Sequence, residues 1–394
     1  MARAIRGDDV SGGCATARCA PGCRAPARGR AALAGAVFAL VAAPAARAQA
    51  PDYFAPRPFA LRWSADLELR QEWTEPFGLK DEESRQRARL LAGVDGEFRW
   101  LRFGLTGDFA YSSDDNVAEL GTPGYRSQRD NYRSRDARVD QAYLSAAPAG
   151  WLRIDAGRFR MPIGFTGLIW DTDLRAQGAA LSLAASDLGR MSRLGLTLLG
   201  SRGSHVFDDN QTTTWAVATD AELELGERTS LGLMGALVTW QDAYDVEDPL
   251  WRQNTSRNDD FQYDYEVIDV VARLHREGSI EAELVADFCR NLAAEKGHTG
   301  IWLALVLDGA VRGWPRLEYV YAWVDRDATL GAYPADDYLW TTGWEGHELK
   351  LDVRVGSHVV LRAAGLVSRY KDAPQARFRD DWVGRARLEM VVRR

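Results

Sequence analysis

Residues 61–70 read LRWSADLELR, and every second position is apolar: Leu61, Trp63, Ala65, Leu67 and Leu69 alternate with Arg62, Ser64, Asp66, Glu68 and Arg70. A period of two is that of a β-strand, whose successive side chains stand on opposite faces. A soluble sandwich strand alternates too. Here the polar members are mostly charged, and the pattern recurs in stretches of about 9 to 12 residues, long enough to cross a bilayer at a tilt.

Working outward, the same alternation predicts a strand at 87–99, where Ala88, Leu90, Ala92, Val94 and Phe98 oppose Arg87, Arg89, Asp95 and Glu97. Further strands are expected at 101–111, 137–146, 152–160, 178–184, 192–201, 213–225, 229–240, 263–275, 279–289, 299–308, 314–325, 346–356, 358–370 and 382–393. The total is about sixteen, the even number that a single-chain bacterial barrel requires. Long connections at 73–84, 112–134, 161–177, 202–212, 241–262, 290–298, 326–345 and 371–381 alternate with short ones near 100, 147–150, 185–191, 226–228, 276–278, 309–313 and 357. Long loops on one side and tight turns on the other are the habit of outer-membrane barrels. The expected fold is therefore all-β, a transmembrane antiparallel up-and-down β-barrel over 59–394, with both termini on the short-turn side.

Rings support the assignment. Trp63, Trp100, Tyr111, Trp151, Trp215, Trp240, Trp314, Trp344 and Tyr370 lie near predicted strand ends, where headgroup belts favour amphipathic aromatics. The charged faces should then point away from lipid, making a pore wall of Arg62, Asp66, Glu68, Arg87, Arg89, Asp95, Arg138, Asp140, Asp220, Glu222, Asp269, Arg273, Arg316, Glu318, Lys350, Asp352 and Arg354. Both signs are present, so the list does not dictate an ion preference.

Residues 1–48 read as an export signal: Arg24, Arg28 and Arg30 flank an apolar stretch at 31–43, and Ala46-Arg47-Ala48 offers a cleavage site. A short periplasmic lead at 49–58 would follow. The segment before Arg24 is over-long, and its Cys14, Cys19 and Cys23 lack a partnering His and leave with the signal, so no metal is expected there. Cys289 then stands alone, which excludes an intramolecular disulfide. The leader's seven Arg and two Asp contribute +5, so removing it takes the chain from −7 to −12. So acidic a product is a poor partner for nucleic acid. His205, His275, His298, His347 and His358 show no metal-ligand spacing, and no nucleophile elbow, phosphate loop or dinucleotide fingerprint is present. Neither an enzyme nor a cofactor is expected.

One stretch breaks the rhythm. Residues 151–183, WLRIDAGRFRMPIGFTGLIWDTDLRAQGAALSL, hold two short strands around a turn-rich insertion carrying Phe165, Trp170, Asp171, Asp173 and Arg175. In a barrel this is the loop expected to fold inward and narrow the hole.

The segments RVDQAYLSAAP (138–148), RIDAGRFRMPIG (153–164) and LIWDTDLRAQGAALSL (168–183) resemble the porins of Gram-negative outer membranes, relatives of the phosphate-selective and general porins. SRQRARLLAGVDGEF (84–98) and GHELKLDVRV (346–355) fit more loosely, and the ending LEMVVRR departs from the family's terminal aromatic. The resemblance implies a passive diffusion channel for small hydrophilic solutes or ions, a homotrimer set in outer-membrane lipid and lipopolysaccharide. It makes the loop around 165–176 the constriction, with Asp171, Asp173 and Arg175 at the eyelet and Arg158, Arg160, Phe165 and Trp170 in the same set. The competing expectation is a structural or adhesive barrel, plugged by its own side chains, whose loops at 112–134 and 241–262 bind a partner.

Overall fold

A strand in lipid satisfies its backbone only by pairing on both edges, so a sheet of such strands is stable there when its first and last members meet. In the computed structural model they do. The described residues are 59–75, 83–113, 136–203, 212–243, 254–257, 260–309, 314–335, 337–338, 341–371 and 382–393. The expected leader, the lead at 49–58 and most of the loops at 112–134 and 241–262 lie outside them.

The strands are β1 (Ala60–Thr74), β2 (Glu83–Phe98), β3 (Leu101–Ser112), β4 (Asp136–Ala149), β5 (Leu152–Arg160), β6 (Arg175–Leu188), β7 (Met191–Arg202), β8 (Thr213–Gly226), β9 (Thr229–Gln241), β10 (Ser256–Arg257), β11 (Asp260–Phe261), β12 (Tyr265–Arg276), β13 (Ile280–Asn291), β14 (Thr299–Gly309), β15 (Arg316–Val324), β16 (Trp344–Val355), β17 (Val359–Tyr370) and β18 (Val383–Arg393). Sixteen of them form one closed antiparallel ring in sequence order, β18 pairing β1, while β10 and β11 make a two-residue hairpin of their own. That hairpin lies in the loop after β9 and has no counterpart in the predicted strand set. The β6 strand starts at Arg175, three residues before the predicted Gly178, so Arg175 belongs to the wall hairpin and not to the loop.

Alternation sorts the two faces. Leu61, Leu105, Leu144, Leu237, Val270, Leu284, Leu349 and Leu388 are exposed on the outside. Their neighbours in sequence face in, and those beside Leu61, Val270, Leu284, Leu349 and Leu388 carry charges. A continuous apolar outer band with a polar interior is how a barrel reads in a membrane.

The wall is irregular where the third long loop begins. The β4–β5 register ends at Ala142↔Arg158, but β5 and β6 stay paired up to Arg160↔Arg175. Asp136–Gln141 is thus left without a β5 partner, and the β5–β6 hairpin runs on alone. Gly157 makes the departure possible. Its φ is +107°, which disfavours L side chains, and a Cβ there would sit 2.3 Å from the Ala142 carbonyl oxygen.

The buried apolar core is inside the ring. Leu168, Ile169, Trp170, Leu174, Leu330 and Tyr333, all from loops, pack against inward residues of β9, β12, β13, β15 and β16 such as Val238, Val267, Cys289, Val320 and Trp344. The barrel interior is therefore divided. One arc of wall is apolar and covered by loops; the other, β1–β4 with β18, is charged.

Candidate functional site

The loop at 161–174 touches both sides of the ring. Thr166 Oγ1 donates to Asp287 on β13, and Arg273 Nη2 on β12 donates to the Gly164 carbonyl at 2.9 Å. Seven residues on, Asp173 Oδ1 accepts from Arg89 Nη1 on β2 at 3.0 Å. Seven residues reach at most about 25 Å, and β13 and β2 stand seven strands apart by the shorter way round. The loop therefore crosses the interior.

Local chemistry shapes it. Thr166 Oγ1 also accepts from the Leu168 amide at 3.1 Å, and Asp171 Oδ1 accepts from the Asp173 amide at 2.8 Å, turns closed by side chains. Leu168, Ile169 and Leu174 then point into the core while Thr172 and Asp173 face the other way.

What Asp173 meets is a lattice of ion pairs. Asp108, 1% exposed, accepts from Arg89 Nε and Nη2 at 3.1 and 3.0 Å and from Arg138 Nε and Nη2 at 3.1 and 3.0 Å. Arg175 Nε donates to buried Asp140 at 3.1 Å, and its Nη1 donates to the Thr172 and Leu174 carbonyls at 2.6 and 3.0 Å. Further round, Arg85 pairs Glu72, Arg70 pairs Glu68 and Glu389, and Arg362 joins Asp352 at 2.6 Å to Glu389 at 3.2 Å. Between the loop and this wall is a cavity of about 400 Å³, lined among others by Asp66, Glu68, Arg89, Arg160, Asp173, Arg362 and Arg393. A second, of about 460 Å³, lies at the loop's other flank beside Arg193, Asp220, Glu222, Arg273 and Glu283.

The sequence-predicted residues fall unevenly on this site. Arg160, Phe165, Trp170, Asp171, Asp173 and Arg175 border the first cavity with Asp66, Glu68 and Arg89. Arg158 sits among Arg138, Asp140, Arg175 and Asp108. Asp220, Glu222 and Arg273 border the second cavity, and buried Asp269 lies beneath the loop opposite Cys289. Arg87 is buried on β2. Asp95 accepts from the Tyr143 hydroxyl at 2.9 Å. Arg316 and Lys350 flank Glu318, and Arg354 pairs Asp308 at 2.8 Å. Arg62 lies toward the start of β1, opposite Asp95.

A second loop enters, which the predicted set lacks. Described residues of 325–343 carry Ala328, Leu330, Tyr333 and Tyr338 into the interior. The Asp171 amide donates to the Tyr333 carbonyl at 2.7 Å, the Ala335 amide to the Gly167 carbonyl at 2.8 Å, and the Trp170 and Tyr333 rings lie 5.1 Å apart. Asn254 and Thr255 hold this loop in turn: Asn254 Nδ2 donates to the Arg326 and Thr329 carbonyls, and Thr255 Oγ1 donates to Asp327 at 2.5 Å. A signal for it existed in the strands. β9 reads LGLMGALV at 231–238 and β14 reads IWLALVL at 301–307, apolar on both faces, as a strand does when something greasy covers its inside.

Burial alone would raise the pKa of Asp173, but Arg89 and Arg175 outweigh it and hold the carboxyl below the usual Asp range. A depressed pKa stabilises the docked loop in full above the ordinary Asp value of ~3.9, and the contribution is lost as pH falls from there through the depressed value. Amide hydrogen-exchange protection at Asp173 and Leu174, corrected for intrinsic rates, should therefore be the same at pH 7 and pH 5. Loss of protection already at pH 5 would contradict this assignment.

No protein-family model matches the sequence, and no curated protein does. Solved structures match by shape. Pseudomonas putida OprB, in a high-pH structure, is 13% identical over 85% of this chain and 94% of its own, with a TM-score of 0.58. Salmonella typhi OmpF, in complex with daunomycin, is 13% identical over 85% and 97%, with a TM-score of 0.53. An anion-selective porin from Comamonas acidovorans is 11% identical over 86% and 100%, with a TM-score of 0.52. At such identities the shared property is the fold: this chain is a porin-like barrel.

Proposed function

We propose that the protein is an outer-membrane porin, a passive diffusion channel for small hydrophilic solutes or ions, with the loop at 161–174 as its constriction. It is exported with loss of residues 1–48, sits in outer-membrane lipid and lipopolysaccharide as a homotrimer, and performs no chemistry of its own. The observation that carries the reading is the crossing loop itself, apolar toward one wall and charged toward a cavity along the other. Arg160, Asp173 and Arg175, with Glu68, Arg89 and Arg362 opposite, form the eyelet. Opposed charges in a water-lined gap orient a polar solute and strip little of its hydration. Asp171 has a different part, since its carboxylate closes the turn that presents Asp173.

Purified protein in planar bilayers should give stepwise, ohmic conductance. A folded barrel that gives none would overturn the channel reading in favour of a structural one. In a salt gradient, Asp173→Asn should move the reversal potential toward anion preference, and Asp171→Asn should move it less. Equal shifts, or none for Asp173→Asn, would remove Asp173 from the eyelet.

A further inference from the structure

We propose that Asp337, on the loop joining β15 to β16, is a second selectivity-determining carboxylate, standing at the long-loop mouth of the passage whose inner stretch Asp173 borders. The inference rests on the channel reading above.

Position is the first argument. Asp337 reaches past β17 from where its loop ends at β16, to the strands two and three places further round: its Oδ1 accepts from Arg387 Nη1 on β18 at 2.5 Å and stands 3.5 Å from Arg70 Nη1 on β1, and its carbonyl accepts from Arg385 Nη1 at 3.1 Å. On β1, Arg70 is one inward position beyond Glu68, which lines the cavity beside Asp173. Arg70 lies farther from the short-turn end than Glu68, so a solute coming from the long-loop side reaches Asp337 first. The same loop is stitched to 161–174 through Tyr333 and Ala335, and the charge on Asp337 is felt at Asp173.

Exposure is the second. Arg387 also binds Glu348, and Arg70 also binds Glu389, but those carboxylates are 1% and 2% exposed at the side chain. They are locked in the wall and present little to a passing ion. Asp337 keeps 42% of its side chain exposed while gripping the same arginines. Within the ~8 Å Debye length at physiological salt, one such charge is not screened from the ions beside it. It attracts solutes with a cationic centre and masks the arginine pair from anions.

The test is the reversal potential of the full-length protein in planar bilayers under a potassium chloride gradient. Asp337→Asn should raise chloride over potassium permeability about two- to fivefold, the scale a unit charge about 8 Å away exerts on both ions through water. Because the change could simply loosen the loop, Asp337→Cys supplies the control; the native Cys289 is buried. Reaction with a sulfonate-bearing thiol reagent should return the ratio toward that of the unsubstituted protein, and a neutral methylating reagent should not. Unchanged reversal potentials, or equal effects of the two reagents, would overturn the role of Asp337. An unsubstituted barrel that conducts nothing would instead overturn the channel reading beneath it.

Discussion

Replacing Asp108 by alanine should lower the unfolding free energy by roughly 3 kcal/mol, the low end of what breaking a buried pair costs when one partner is removed. Asp108 accepts four bonds from two guanidiniums; of the nearby carboxylates, Asp173 takes a single further bond from Arg89, and Asp140 is engaged by Arg175. With it gone, Arg89 and Arg138 repel each other across the space the carboxylate held. The low end applies because the site borders a hydrated cavity, which screens what a dry interior would not. The shift is measurable as a lower urea midpoint of the detergent-solubilised barrel, or a lower temperature at which it loses its compact electrophoretic form. Asp108→Asn, which keeps shape and one acceptor, should lose less. If Asp108→Ala stayed within about 0.5 kcal/mol of the unsubstituted protein, the scale of an ordinary surface change, the pairs around Asp108 would not be holding this wall together.

That wall was legible in the sequence because its two faces differ in kind. Leu67, Leu69 and Leu90 had to meet lipid, so Glu68, Arg70 and Arg89 had to meet each other or water, and period two fixes which residue does which. Asp108 was not among the expected wall residues. The strand order followed from the alternation of long and short connections, and the sixteen-stranded closed ring agrees with it. The pairing inside the lattice was not legible. Whether Arg89 takes Asp108, Asp173 or both depends on cross-strand register, and register depends on bulges such as the one at Thr106/Gly107 against β4, which leave no mark in a single sequence.

The loops show the opposite asymmetry. At 161–174 the aromatics and paired charges announced a folded insertion. At 325–343 the run DATLGAYPADDY, 327–338, reads as an ordinary turn-rich surface segment, and only the partner surfaces explain its course. Leu330 and Tyr333 are buried because β9 and β14 offer apolar residues on their inner faces, and because Trp170 completes the contact. A loop's destination is set by complementarity between distant segments, which composition alone does not encode. The strand boundaries erred for a related reason: Arg175 is polar and adjoins the insertion, yet its salt bridge to Asp140 and its pairing with Arg160 hold it in the sheet.

Putting a charge at Leu168 should have the largest effect on the hole itself. Leu168 is 1% exposed, and its Cδ1 lies where a Cβ on Gly300 would come within 2.7 Å, so the side chain sits flat on the β14 backbone. Truncating such a leucine costs about 2–5 kcal/mol; Leu168→Asp adds the desolvation of a further carboxylate at a wall that already buries Asp287 and Asp269. Against this the loop is held by the Thr166–Asp287, Arg273–Gly164 and Arg89–Asp173 bonds, by the Asp171–Tyr333 and Ala335–Gly167 backbone bonds and by the neighbouring Ile169 and Trp170, a set in which each hydrogen bond is worth about 1 kcal/mol net. The docked state should therefore lose, while the sixteen-strand ring, whose backbone bonds do not involve the loop, should remain. The expected result is a barrel of normal electrophoretic stability whose single-channel conductance is severalfold larger and whose current is noisier, because the loop no longer crosses the interior. Leu168→Met, similar in volume and apolar, should conduct like the unsubstituted protein. If Leu168→Asp folded and conducted at the original level, the limiting cross-section would have to lie elsewhere, and the charged ring at Asp337, Arg70 and Arg387 would be the next place to look.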